Sequence, residues 1–198
     1  MINNKISAAV HRSIAKVCSF LQRTDIAISE FNKAVEKHPD DAESWRCLGF
    51  LYAQKKNHAL SISAFRTCLE LLPQDNDTRF NLGFVLHETG EITNAIQIFR
   101  EVILQNANHD RAWYGMGICL ADLGQLEDAI DAMKRASTLQ YFNPHAGYKL
   151  AQMLMLAERV PEANEEYLRV LTFDPAMAAQ IKQVVTTSTA QVKLPSSE

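Results

Sequence analysis

The sequence predicts an all-α protein assembled from repeated helical hairpins. Three observations carry that prediction. Residues 79–102, RFNLGFVLHETGEITNAIQIFREV, contain two runs of helical apolar spacing: Phe80, Leu82, Gly83, Phe84 and Leu86, then Ile92, Ala95, Ile96, Phe99 and Val102. The break Glu88-Thr89-Gly90-Glu91 separates them, so the stretch reads as two antiparallel helices joined by a short Gly turn. The same frame then recurs every 34 residues along the chain. Finally, small residues return in register: Ala, Gly, Gly, Gly, Ala at 15, 49, 83, 117 and 151, and Ala, Ser, Ala, Ala, Ala at 27, 61, 95, 129 and 163. Glycine costs about 1 kcal/mol inside a helix, so its recurrence there points to close helix packing.

The chain opens with Ile2, Ile6, Val10, Ile14 and Val17 at helical spacing, with Asn3 or Asn4 as the expected cap. A second helix starts at Thr24-Asp25 and stops before Pro39, where His38-Pro39-Asp40-Asp41 combines a stop with a start signal. Trp45 to Gln54 and Leu60 to Leu72 form the next hairpin, with Lys55-Lys56-Asn57 where a Gly turn is usual. The hairpin of the opening observation follows. Ala112 to Leu123 and Leu126 to Leu139 turn around Gly124. Asn143-Pro144 reads as a cap and first-turn proline before His145 to Leu156, and Pro161 to Phe173 completes the fifth hairpin. Met177, Ile181, Val184 and Val185 continue helical spacing as a single capping helix.

WRCLGFLY at Trp45 to Tyr52, followed by Ser61, Phe65 and Pro73, matches the W-x-x-L-G-x-x-Y…A-x-x-x-F…P pattern of the tetratricopeptide repeat (TPR). The chain resembles that family over residues 8–177, with copies at 8–41, 42–75, 76–109, 110–143 and 144–177. One domain over 1–190 is expected, with a cap helix at 178–190 and a disordered tail at 191–198. The resemblance implies a TPR α-solenoid, a right-handed superhelix whose core is filled by Phe31, Phe65, Phe99, Met133 and Tyr167.

Composition adds exclusions. A net charge of −3 gives no electrostatic attraction to nucleic acid. No run approaches the ~20 apolar residues of a membrane span, and the start MINNKISAAVHRS lacks a signal-peptide apolar core. A cytoplasmic location is therefore expected. His11, His38, His58, His87, His109 and His145 form no H-E-x-x-H or paired-ligand spacing, and G-x-S-x-G and phosphate-cradling loops are absent. The expectation is a non-enzyme without metal or cofactor. Cys18, Cys47, Cys68 and Cys119 include no C-x-x-C pair; Cys18 and Cys68 are expected in the core and Cys47 accessible.

In the TPR family the first helix of each repeat lines a concave groove that holds ligand peptides. The matching positions put Arg46, Cys47, Phe50, Phe80, Asn81, Phe84, Arg111, Tyr114, Ile118 and Tyr148 on that face, with Met155 extending it. The resemblance thus implies a protein or peptide partner, bound as an extended or short helical, partly apolar segment by an adaptor- or chaperone-like module. The competing arrangement packs these aromatics on each other or on the last helix. The five-residue clamp that holds the acidic tails of heat-shock chaperones is incomplete: Arg46, Asn81 and Arg111 fit, but Phe50 and Gly115 do not. The asparagine ladder of sugar transferases with TPR arms is absent too. A self-assembling scaffold, a homo-oligomer joined through solenoid ends or convex face, is the alternative class, and a regulatory subunit of a larger complex is a third.

Overall fold

The computed structural model describes the backbone of residues 2–192 and side chains over 3–186. Among them the chain forms eleven α-helices: α1 Ile2–Phe20, α2 Thr24–Lys37, α3 Ala42–Gln54, α4 His58–Leu71, α5 Asn76–Glu88, α6 Ile92–Gln105, α7 Asp110–Asp122, α8 Leu126–Leu139, α9 Pro144–Leu156, α10 Val160–Leu171 and α11 Pro175–Val192. No strand occurs among the described residues. The all-α expectation holds, with the helices falling in the expected pairs. The last helix starts at Pro175 and runs to Val192, and the rest of the expected tail lies outside the described residues. Asn3 and Asn4 lie inside α1 rather than before it.

Packing divides the chain into two compact units, residues 1–98 and 99–198. In the first, α1 packs on α2, α2 on α3, α3 on α4 and α4 on α5. Ala15, Ala27, Phe31, Val35, Leu48, Leu51 and Ala64 form a core cluster, with Trp45 and Tyr52 against it. In the second, α7 packs on α8, α8 on α9, and α9, α10 and α11 on one another. Ile130, Met133, Leu150, Leu154 and Ile181 are fully buried there.

The small residues are where the hairpins close. Every one of the ten is buried. A Cβ on Gly49 would stand 2.5 Å from the Phe65 ring, and the Ser61 hydroxyl donates to the Gly49 carbonyl at 2.7 Å. Turns repeat as regularly. Gln22, Lys56, Gly90, Gly124 and Glu158, each 34 residues apart, all have φ between 57° and 80°. Glycine occupies that left-handed position without strain; the other three residues adopt it because both flanking helices are held by packing.

The helix starts are equally periodic. Trp45 Nε1–H donates to the Pro39 carbonyl at 2.7 Å, Trp113 Nε1–H to the Ala107 carbonyl at 2.9 Å, and Arg79 Nη2 to the Pro73 carbonyl. One donor in each of these three repeats thus reaches back six residues and ties the interhairpin turn to the next helix.

Candidate functional site

The odd-numbered helices carry the expected groove residues. On α3 and α5, which touch, Phe50 and Phe84 remain 52% and 48% exposed. They occupy equivalent repeat positions, 34 residues apart. Phe80 differs: it is only 7% exposed and belongs to the core of α5. Asn81 and Cys47 are half-buried, and burial pushes the Cys47 thiol up.

Arg46 reaches a carboxylate of its own chain. Its Nη1 lies 3.3 Å from Asp75 Oδ2. Asp75 caps α5, accepting from Thr78 N–H at 3.0 Å and from the Thr78 hydroxyl at 2.8 Å. Burial alone raises the Asp75 pKa, but the Thr78 hydrogen bonds and the Arg46 guanidinium outweigh it and hold the carboxyl below its ordinary value. One repeat earlier the arrangement recurs. Arg12 Nη1 donates to Asp41 Oδ1 at 2.8 Å, and Asp41 caps α3 through Ser44 N–H and hydroxyl at 3.3 and 2.8 Å. Glu43 adds pairs with Arg12 at 3.5 Å and Lys16 at 2.6 Å. The cations of this face in residues 1–98 are therefore neutralised by neighbouring carboxylates, leaving Phe50 and Phe84 as its large exposed apolar groups.

In the third and fourth copies both partners change together. Phe80 and Tyr114 replace the arginine, and His109 and Asn143 replace the aspartate cap. His109 Nδ1 accepts from Ala112 N–H at 3.1 Å, and Asn143 Oδ1 from His145 N–H at 3.0 Å. The carboxylate cap thus disappears together with the arginine at the paired position. The Arg-to-Asp offset of 29 residues, present twice, and the D-x-x-S/T caps were the signals that could have revealed these pairs.

Within residues 99–198, Arg111 is exposed, while Tyr114, Ile118 and Tyr148 are half-buried. Burial pushes the Tyr114 phenol up, and the Tyr148 hydroxyl accepts from Gln152 Nε2 at 3.1 Å. Met155 is buried. Gly115 packs as tightly as Gly49, since a Cβ there would meet the Phe99 ring at 2.7 Å. No cluster of three or more metal-ligating side chains occurs among the described residues.

A family model described as tetratricopeptide repeat matches residues 19–76 and 120–178, together more than half of the chain. The chain belongs to the tetratricopeptide repeat family. A model for the anaphase-promoting complex, cyclosome, subunit 3 also matches, over residues 54–136. No curated protein matches the chain. Among solved structures, the chain is similar to YrrB, a TPR protein with an unusual peptide-binding site, at 20% identity and TM-score 0.72, covering 87% of this chain and 90% of that one. It is similar to MamA from Desulfovibrio magneticus RS-1 at 19% identity and TM-score 0.74, covering 95% and 98%. PilW, a type IV pilus biogenesis factor, gives 21% identity and TM-score 0.72, covering 96% and 95%. At these identities the likeness is one of fold: an all-α TPR solenoid, which supports a protein–protein interaction module. No described helix is long and apolar enough to cross a membrane.

Proposed function

We propose that this TPR chain is a non-catalytic adaptor in which the face formed by the first helix of each repeat binds an extended or short helical peptide of a partner protein through apolar anchors. The observation that carries the proposal is the pair Phe50 and Phe84, two aromatic rings at equivalent repeat positions, each about half exposed on helices in contact. Aromatic groups supply large contact area at low entropic cost, and exposed apolar strips mark binding sites. Asn81, half-buried three residues before Phe84 on α5, is the candidate for hydrogen bonding the peptide backbone. Arg111, Tyr114, Ile118 and Tyr148 are the corresponding candidates in residues 99–198. That the same fold in YrrB carries a peptide-binding site supports the reading.

Because Arg12, Lys16 and Arg46 already hold carboxylates, the ligand is selected by apolar side chains more than by acidity. Four free cysteines suit a reducing, cytoplasmic setting. The test is calorimetric titration with a partner identified by pull-down and sequencing. Phe84→Ala should weaken binding on the order of thirtyfold, as hot-spot truncations of about 2 kcal/mol do, and Phe50→Ala comparably, with thermal midpoints near that of the parent. Full affinity in a folded Phe50→Ala/Phe84→Ala protein would move the ligand to another surface.

A further inference from the structure

A second surface is exposed in residues 1–98. Ile6, Val10, Ile14, Val17, Phe20 and Leu21 are between 44% and 87% exposed. Leu21 continues the helical bonding of α1, its N–H donating to the Val17 carbonyl at 3.0 Å. At 100° per residue, Ile6, Val10, Ile14, Val17 and Leu21 project within an arc of roughly 80°, with Phe20 at its edge. The opposite side of the helix does the packing: Ala8 and Ala15 are buried, His11 Nδ1 lies 2.7 Å from Glu30 of α2, and Arg12 and Lys16 are held by Asp41 and Glu43.

We propose that this stripe is a homodimer interface, in which two copies of the chain pack their α1 helices antiparallel. The charge pattern favours a copy over a charged partner. No acidic residue occurs in α1, and every cation of the helix lies outside the arc, so nothing on the face selects an acidic or basic segment. Spacing favours it as well. The positions 6, 10, 14, 17 and 21 nearly reproduce themselves when read backwards. An antiparallel pair centred near Ile14 sets Ile6 against Leu21, Val10 against Val17, and Ile14 against its own symmetry mate. A two-fold contact requires such self-complementarity.

Area points the same way. The six residues are 44% to 87% exposed, and their burial in two copies is on the order of the ~1,000 Å² expected of a specific interface.

Sedimentation equilibrium of the full chain across about 1 to 100 µM tests the proposal, a range in which a small, dry interface assembles. The parent should form dimers and no larger species. Val10→Glu/Val17→Glu should raise the dimer dissociation constant at least tenfold with unchanged helix content, because both positions face solvent in the single chain. Leu156→Glu, an exposed apolar residue of α9, should leave the dimer intact. If the glutamate pair lowers the helix signal, Val10→Ser/Val17→Ser supplies the same readout. A parent that stays monomeric throughout overturns the interface, as does a folded double variant that dimerises like the parent.

Discussion

Arg169 fills the space that Gly147 leaves empty. A Cβ on Gly147 would stand 2.6 Å from Arg169 Nη2. Position 147 is the fifth-repeat equivalent of Trp45, Arg79 and Trp113, whose side chains donate to the carbonyl six residues back. Here the carbonyl is that of Tyr141, and Arg169 Nη1 donates to it from α10. Arg169 also donates from Nε to Glu166 Oε2 at 2.9 Å. Its Nη2 sits 2.8 Å from the same oxygen, within ion-pair range though not aligned as a hydrogen bond. The guanidinium lies 5.2 Å and 5.6 Å from the Tyr141 and Phe173 ring centres.

Arg169→Ala should therefore destabilise by about 2 kcal/mol, since the Tyr141 carbonyl and Glu166 both lose a partner in a largely enclosed site. Gly147→Ala in the parent should also destabilise, since its Cβ would meet Arg169 Nη2 at 2.6 Å and the buried Val170 Cγ2 at 2.9 Å. Urea unfolding measures both. A Gly147→Ala midpoint equal to that of the parent would show that the guanidinium yields without cost.

Asp75 joins a cap to an ion pair, so its removal should cost more than an ordinary cap, about 1–2 kcal/mol for Asp75→Ala. Its pKa is lowered by folding. Such a group contributes stability above the unfolded-state value near 3.9, and that contribution is lost as pH falls through the lower folded value. The parent should lose stability on acidification below about pH 4. Asp75→Asn, which cannot titrate, should lose less over the same window. Parallel pH profiles for the two proteins would contradict the assignment.

Lys56 holds a left-handed conformation, φ 57°, where the third and fourth repeats have glycine. Left-handed geometry costs a non-glycine residue roughly 1–2 kcal/mol. Lys56→Gly should raise the urea midpoint by the equivalent of about 1 kcal/mol, after the entropic cost of glycine is subtracted. Gly90→Ala, at φ 80°, should lower it. Shifts of the same sign in both variants would refute the strain argument.

Gly49 and Gly117 share a repeat position but not a tolerance. A Cβ at 49 meets the fully buried Phe65 ring at 2.5 Å, whereas at 117 the nearest atom is the flexible methyl end of Met133 at 3.1 Å. Gly49→Ala should destabilise by roughly 1–3 kcal/mol through overpacking. Gly117→Ala should stay within about 1 kcal/mol of the parent, helix propensity offsetting the tighter contact. Equal midpoints for the two variants would show that Phe65 yields without cost.

The cysteines should divide by burial. Cys68 and Cys119 are fully buried. Burial, reinforced by the Asp122 charge, pushes the Cys119 thiol up to about 12. Only thiolate reacts, so both should resist a thiol reagent until the protein unfolds. Cys47 and Cys18 are half-buried and should label slowly in the native state. Cys18 packs against the core as expected, though half-buried, and Cys47, expected to be accessible, packs against the same cluster. Rapid labelling of Cys119 without unfolding would contradict the packing of α7.

Hairpin number, order and register are legible in the sequence because they follow from local chemistry. Apolar period, glycine at 90 and 124, and caps such as Asp41 and Asn143 each act within a few residues. Other features depend on which atoms a distant segment presents. Gln22, Lys56 and Glu158 carry no turn signal, and their left-handed conformation is imposed by the helices that they connect. The helical period places Phe80 and Phe84 on neighbouring parts of one helix, but only the packed structure buries the first and leaves the second half in water. Arg46 looks like a free cation until the turn before α5 brings Asp75 to it, and Gly147 looks like a defect until α10 delivers Arg169. Burial and charge pairing are sums over the whole packed neighbourhood, so tertiary structure decided them, whereas helix starts and stops are decided within single turns of the chain.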